Sequence, residues 1–297
     1  MSVRTYTYAD RAAWLADRSE YVGASEVAAC IGAPGAYLSR WELWSRKRNL
    51  LPPKEETERM RWGQRLEAAI AQGVADEHGG TVDVWENQVA YGPAAKPYQR
   101  ATPDGTWVDA DGVLALLEIK NVDGALREHW EDGPPPHVVC QVQWQLYCAG
   151  YDAGVAAALI GGNRLAVYRL ERDDELIAAL DEAVDVFWES VENGVEPTVE
   201  HRDVELLPLR WQAREAVVAD LPIGLALELV ESKEAEAAAK KRFNQAKAET
   251  MQTLGHATEG RIDGRNVCTW REDKAGRRVF RLASKAAEVV RTETKEA

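Results

Sequence analysis

Cysteine, methionine, phenylalanine and histidine are all scarce, with four, three, three and five residues in a chain of 297. The cysteines, Cys30, Cys140, Cys148 and Cys268, form no C-x-x-C pair. That disfavours a zinc ribbon, an iron–sulfur cluster and a disulfide framework, and leaves reduced, mostly buried thiols. His78, His129, His137 and His201 share no ligand spacing, so a zinc site is not expected. No apolar run reaches the roughly 20 residues of a membrane span and no signal-peptide pattern opens the sequence. A cytoplasmic protein is the expectation. Positive charge is lacking too: the formal net charge is −13, which argues against a basic coat for nucleic acid.

What is present is the composition of an ordinary globular chain, 45% hydrophobic and 29% charged, enough to build a sizeable core. The charge is uneven. Residues 231–297 carry 15 Lys+Arg against 11 Asp+Glu, whereas residues 1–230 carry 21 against 38. Contact with a polyanion must then be local, and an acidic body suits a site that gathers divalent cations.

Periodicity alternates between helix and strand over the first 200 residues. Ser39 is placed to cap a helix through RWELWSRKRNLL, which Pro52 and Pro53 stop. A second helix is expected over 57–78, with Trp62, Leu66, Ile70 and Val74 as one buried stripe. TVDVWENQVAY, residues 81–91, reads as a strand, and GTWV, DADG, VLALLEIK as a hairpin with an Asp-Gly turn signal. A helix over 137–149, two strands in VAAALIGG and RLAVYRL, and a helix over 173–192 complete a mixed α/β domain at residues 1–200. A loosely helical connection, 201–224, leads to an appendage at 225–290: a long helix to 254 and two strands turning at Lys274–Gly276. Residues 291–297 read as a frayed tail. Trp41, Trp44, Trp62, Trp144 and Trp188 fall mostly on helical stripes and are expected in the core; Trp130, beside a proline-rich loop, is the exception.

The stretch VLALLEIK, residues 113–120, runs a hydrophobic strand into an acid and a base. Alternation puts Glu118 and Lys120 on one face and Ile119 on the other. Ionised groups beside a core cost several kcal/mol unless compensated. Asp104 lies across the hairpin; a three-residue loop sets it directly opposite Glu118, and loops of two or four miss by one position. Two carboxylates so placed can share a divalent ion. Lys120 would then lie beside a metal-bound water, its pKa lowered by burial and the cation, able to orient or deprotonate that water. Pro103, Asp104, Glu118, Ile119 and Lys120 resemble the PD-(D/E)xK nuclease signature. Taken alone, the pattern fits an exposed hairpin with a surface ion pair equally well.

The blocks VGASEVAACIG, LSRWELWSRKRNLL, RWGQRLEAAIA, TPDG, LLEIKN and CQVQWQLYCAG, in that order and closed by FWESVENGVEPT, resemble the YqaJ-type viral recombinase family, related to phage lambda exonuclease. The resemblance covers residues 18–197 and implies a PD-(D/E)xK restriction-endonuclease-like α/β core, a central mixed sheet flanked by helices. It implies Glu67 as a helical metal ligand, Asp104 and Glu118 as central ligands, the Ile119 carbonyl as a backbone ligand, Lys120 as the catalytic lysine, and Gln141 as the group that positions the attacking water. Arg18 and Ser25 match residues that hold a terminal 5′ phosphate, and Thr102 stands where a phosphate-binding serine is usual. Arginine suits that task because its fork binds phosphate oxygens bidentately. Two positions depart: the tyrosine three residues before the glutamine is Val138, and a second phosphate-holding arginine aligns with Leu126, one residue from Arg127.

The resemblance further implies a Mg²⁺-dependent exonuclease, with Mn²⁺ able to substitute. It would act on linear double-stranded DNA from 5′ to 3′ and expose 3′ overhangs for a single-strand annealing protein in phage-type recombination. A ring-shaped homotrimer is part of the same implication. Rival readings are a catalytically silent DNA-end binder and an endonuclease or flap nuclease of the same fold.

Overall fold

The computed structural model describes residues 2–85, 89–211 and 217–296. The chain divides into two units, Met1–Ala213 and Arg214–Ala297. The first contains strands β1 (Val3–Thr7), β2 (Thr81–Val84), β3 (Val89–Pro93), β4 (Gly105–Val108), β5 (Leu114–Val122), β6 (Ala153–Ile160) and β7 (Arg164–Glu171). Its helices are α1 (Arg11–Asp17), α2 (Val27–Ile31), α3 (Arg40–Lys47), α4 (Glu58–His78), α5 (Pro136–Ala149), α6 (Asp174–Asn193) and α7 (Leu207–Arg210).

The central sheet has the order β2-β4-β5-β6-β7. Only β5 and β6 are parallel, and a parallel pair needs a crossover, which α5 provides. Alternation along β5 sorts its side chains between two cores. Ala115, Leu117 and Ile119 pack with Ile70, Ala71 and Val74 of α4. Leu116 and Val122 pack with Val138, Val142 and Leu146 of α5. A third cluster joins α2, α3, α5 and α6 through Val27, Trp44, Trp144, Leu180 and Phe187. This is an α/β core with a mixed sheet flanked by helices, the architecture of the PD-(D/E)xK restriction-endonuclease-like fold.

The β4–β5 hairpin sets the register that matters. Gly105 pairs with Leu117 and Val108 with Leu114. The Asp109 N–H donates to the Val113 carbonyl at 3.1 Å, which leaves Ala110, Asp111 and Gly112 as a three-residue loop. Gly112 takes the left-handed backbone such loops require, with φ at +80°. One step beyond Gly105 and Leu117, the same register sets Asp104 opposite Glu118.

Several expectations need correction. The strand expected over 81–91 is two strands in separate ladders: β2 pairs with β4, and β3 with β1; Glu86, Asn87 and Gln88 lie outside the described residues. Trp62 leaves the buried stripe and is 47% exposed; the first turns of α4 line the cleft through Met60, Gly63, Gln64 and Glu67. Trp130 is core: its ring is buried among the α5-side residues, and Tyr168 Oη donates to its carbonyl. In the connecting stretch a 3₁₀ turn at His201–Asp203 and the short helix Leu207–Arg210 precede α8, which begins at Ile223, while 212–216 fall outside the description. β1 and α1 carried too little periodicity to be foreseen.

The second unit contains α8 (Ile223–Leu254), β8 (Glu259–Ile262), β9 (Arg265–Glu272), β10 (Arg278–Leu282) and α9 (Ala286–Glu296). Its sheet has three strands, not two, in antiparallel order β8-β9-β10. The segment RIDGRN folds back on itself because Asp263 and Gly264 take φ of +44° and +78°, as two-residue hairpin turns require. Residues 291–296, expected as a frayed tail, continue α9, which Ala286 and Val289 anchor by burial; Ala297 is outside the description. Among the described residues no helix is long and apolar enough to cross a membrane.

Candidate active site

Glu118 and Lys120 leave β5 on the α5 side. Glu118 is 3% exposed, so its charge must be met by neighbours. Lys120 Nζ lies 2.6 Å from its Oε1, and Gln141 Nε2 donates to the same oxygen at 2.7 Å. Lys120 also donates to Gln141 Oε1 at 3.0 Å, which closes a triangle of three side chains. A fourth group went unforeseen: Gln145 Nε2 donates to Glu118 Oε2 at 2.5 Å. Its signal was present as two glutamines four residues apart on a helix that otherwise buries Val138, Val142 and Leu146.

Asp104 turns its carboxylate back across the hairpin, where Oδ2 accepts from the Ile119 N–H at 2.7 Å. Burial and the charge of Glu118 raise Asp104 well above the usual carboxylate range. Glu67, from α4, is raised for the same two reasons. Without a bound cation, Lys120 is raised. Burial does lower it, but Glu118 beside it outweighs burial, and the ammonium is held more firmly protonated than in water.

The donors Glu67, Asp104 and Glu118, with the Ile119 backbone beside them, are all hard oxygens, the set that Mg²⁺ or Mn²⁺ prefers. The repulsion that raises Asp104 and Glu67 is what a divalent cation would remove, so the donor chemistry suits such an ion. Among the described residues no three His, Cys, Asp or Glu side chains are gathered closely enough to hold a metal between them.

A second cluster lies where α1 leads into α2. Glu26 is buried and receives Arg18 Nη2, Lys47 Nζ and the Gly23 N–H, each at 2.8 Å. Burial alone would raise its pKa; Arg18 and Lys47 override burial and hold it at about 2. Lys47 is lowered, because burial outweighs its carboxylate partner. Arg18 is raised: burial works against its charge, and Glu26 outweighs it. Arg18 Nη2 also reaches Ser25 Oγ at 3.5 Å. Neither Glu26 nor Lys47 was foreseen, since an acid and a base 21 residues apart give no local pattern.

One cleft of about 310 Å³ joins the two clusters. It is lined by Glu67, Asp104, Glu118, Ile119, Lys120 and Gln141 together with Arg18, Ser25 and Thr102, so every sequence-predicted site residue meets there. Leu126 and Arg127 are not among the lining residues: Leu126 is exposed, and Arg127 lies 3.8 Å from Glu131. Val138 belongs to the core.

A mixed sheet whose hairpin sets an aspartate after proline opposite the glutamate of an E-x-K strand end defines the PD-(D/E)xK nuclease class. The YqaJ-like viral recombinase domain family matches residues 13–152. Sequence and fold support membership in the YqaJ-like / PD-(D/E)xK nuclease superfamily. An uncharacterized protein, YqaJ of Bacillus subtilis (strain 168), is 30% identical over 202 residues, 63% of this chain and 58% of that protein. The chain thus spans less than two thirds of that relative's length. Among solved structures, an alkaline exonuclease from Laribacter hongkongensis is 26% identical, with 62% of this chain and 93% of that one covered and a TM-score of 0.47. A phage-related exonuclease from Haemophilus somnus 129PT is 12% identical, with 59% and 95% covered and a TM-score of 0.43.

Proposed function

We propose that the chain is a Mg²⁺-dependent exonuclease that degrades linear duplex DNA from 5′ to 3′ and leaves 3′ single-stranded overhangs. The observation that carries this reading is the closed Lys120–Gln141–Glu118 triangle, with Asp104 opposite in register, in the same cleft as Glu67 and the Arg18–Ser25 pair. Bound by Glu67, Asp104, Glu118 and the Ile119 carbonyl, a divalent cation would supply neutralisation of phosphate charge and acidification of water.

The chain's own groups do the rest. Lys120 orients a water through Nζ, while Gln141, fixed by two hydrogen bonds, holds the water's second direction. In-line attack at phosphorus breaks the bond to the 3′ oxygen, which leaves as the hydroxyl of the released nucleotide. The remaining strand keeps a 5′ phosphate. Each cut therefore regenerates the group that Arg18, Ser25 and Thr102 are placed to hold, and this favours repeated cleavage from one end. Residues 1–200 carry this chemistry, and 225–290 form a separate appendage. The resemblance extends the reading to a cytoplasmic recombination step, with a single-strand annealing protein taking the 3′ strand and three chains forming a ring; sedimentation would test the ring.

Linear and closed circular duplexes incubated with Mg²⁺ decide among the readings. An exonuclease releases mononucleotides from the linear form and spares the circle, and Lys120→Ala slows release roughly 10²–10⁴-fold. Nicking of the circle would make the enzyme an endonuclease. Sparing of both would make it a silent end binder.

A further inference from the structure

None of the 32 residues of α8 is buried. Within its unit, the last turns of the helix meet the sheet: Lys247 Nζ lies 5.5 Å from the Phe280 ring centroid, and Leu254 sits beside Gly260. The first turns carry large apolar side chains in water. Ile223 is 85% exposed, and Leu225, Leu227, Leu229 and Val230 are each more than half exposed. At about 100° per residue, Ile223, Leu227 and Val230 share one side of the helix, and Leu225 and Leu229 take the opposite side. A helix apolar on both sides is one that other protein surrounds.

From Leu225 a seam runs down the helix. Leu225, Leu229, Ser232, Glu236, Ala239, Phe243 and Ala246 follow at alternating steps of four and three, the repeat by which two helices pack along their length. Charge identifies the partner. Residues 223–239 hold Glu228, Glu231, Glu234 and Glu236 against Lys233, whereas residues 240–254 hold Lys240, Lys241, Arg242 and Lys247 against Glu249. One half is acidic and the other basic, so α8 is complementary to a reversed copy of itself. A parallel pair would set like charges side by side; an antiparallel pair sets each acidic half against a basic one. Centred on Glu236, the antiparallel pair places Leu229 opposite Phe243 and Glu231 opposite Lys241. Glu236 then meets its own copy, and Lys233, 2.8 Å from Glu236 within each chain, supplies the balancing charge.

We propose that α8 is a self-association surface, through which two copies of this chain pair antiparallel over residues 223–249. Such a contact is isologous and closes about a twofold axis. It therefore gives even-numbered assemblies, unlike a ring of three, and it does not depend on the chemistry of the cleft.

Full-length wild type, Glu228→Lys with Glu231→Lys, Lys240→Glu with Lys241→Glu, and Leu225→Gln with Leu229→Gln are compared by sedimentation equilibrium in EDTA at low salt, with melting curves to confirm folding. Wild type should sediment as a dimer, or as a hexamer where rings form as well. Each double variant alone should fall to half the wild-type mass. An equimolar mixture of the two charge variants should regain the full mass, because each acidic half again meets a basic one. A monomeric wild type would leave the seam to a different partner and overturn the pairing, and a trimeric wild type would overturn it too. Charge variants that keep the wild-type mass, or a mixture that stays at half mass, would equally reject the antiparallel arrangement.

Discussion

Glu118 has one oxygen shared by Lys120 and Gln141 and another held by Gln145 alone. Removing Gln145 therefore leaves a buried lone oxygen without a donor, which costs about 1–3 kcal/mol, and frees the carboxylate to rotate away from the orientation a cation needs. Gln145→Leu should lower the melting temperature and raise the Mg²⁺ concentration for half-maximal cleavage roughly 10–100-fold. An unchanged Mg²⁺ dependence would reduce Gln145 to a packing residue. Glu26 makes a separate prediction. Its folded pKa is about 2 against an ordinary 4.5, so the folded state binds its carboxylate form more tightly than the unfolded chain does. That stability is fully present above pH ~4.5 and is lost as pH falls toward ~2. It is on the order of 3 kcal/mol. Denaturant titrations at pH 6 and pH 3 should show Glu26→Gln with a flatter acid decline than wild type; parallel declines would show that other carboxylates control it.

At the level of elements, Gly105 shows how tightly β4 is held between its neighbours. A Cβ there would sit 2.2 Å from the Asp83 carbonyl oxygen and 3.1 Å from Val84 Cα, both backbone atoms of β2. Gly105→Ala must push β2 away or shift β4, and Asp104 shifts with β4. The expected result is a loss of roughly 1–3 kcal/mol in stability together with a fall in cleavage, whereas retained activity at full occupancy of the fold would show that Asp104 tolerates the displacement. This hairpin was also the most legible part of the sequence. Alternation along VLALLEIK assigned both faces of β5, and the Asp-Gly signal placed the turn, while the three-residue loop that sets Asp104 against Glu118 is settled by the register of the hairpin. The rest was hidden for physical reasons. Periodicity identifies an element without naming its partner, so a single run over 81–91 concealed two strands that pair in different ladders. Buried charges such as Glu26 with Lys47 compensate each other only after distant segments meet. Gln145 carried no signal of its own because its partner, Glu118, comes from a strand 27 residues earlier.

Across the whole molecule, acidity and the site belong to one electrostatic argument. Residues 1–230 hold 38 Asp+Glu against 21 Lys+Arg, so a DNA backbone is repelled by most of this surface and is accepted only where cations are concentrated. In the cleft the same excess becomes local, since Asp104 and Glu67 are both raised by burial and by the neighbouring charge of Glu118. The folded chain thus carries a repulsion that a bound divalent cation would relieve and the unfolded chain does not share, so binding in the cleft would stabilise the fold. At Mg²⁺ concentrations about 100 times its dissociation constant the gain is about 2.7 kcal/mol. For a unit of this size that shifts melting upward by roughly 5–10 °C. Asp104→Asn keeps an acceptor for the Ile119 N–H but removes one charge, so it should melt no lower than wild type in EDTA and gain little from Mg²⁺. Calorimetry of both proteins with EDTA, Mg²⁺ and Mn²⁺ tests this without reference to cleavage. Equal metal-induced shifts in the two would mean that the ion binds elsewhere, and no shift in wild type would remove the cation from the cleft altogether.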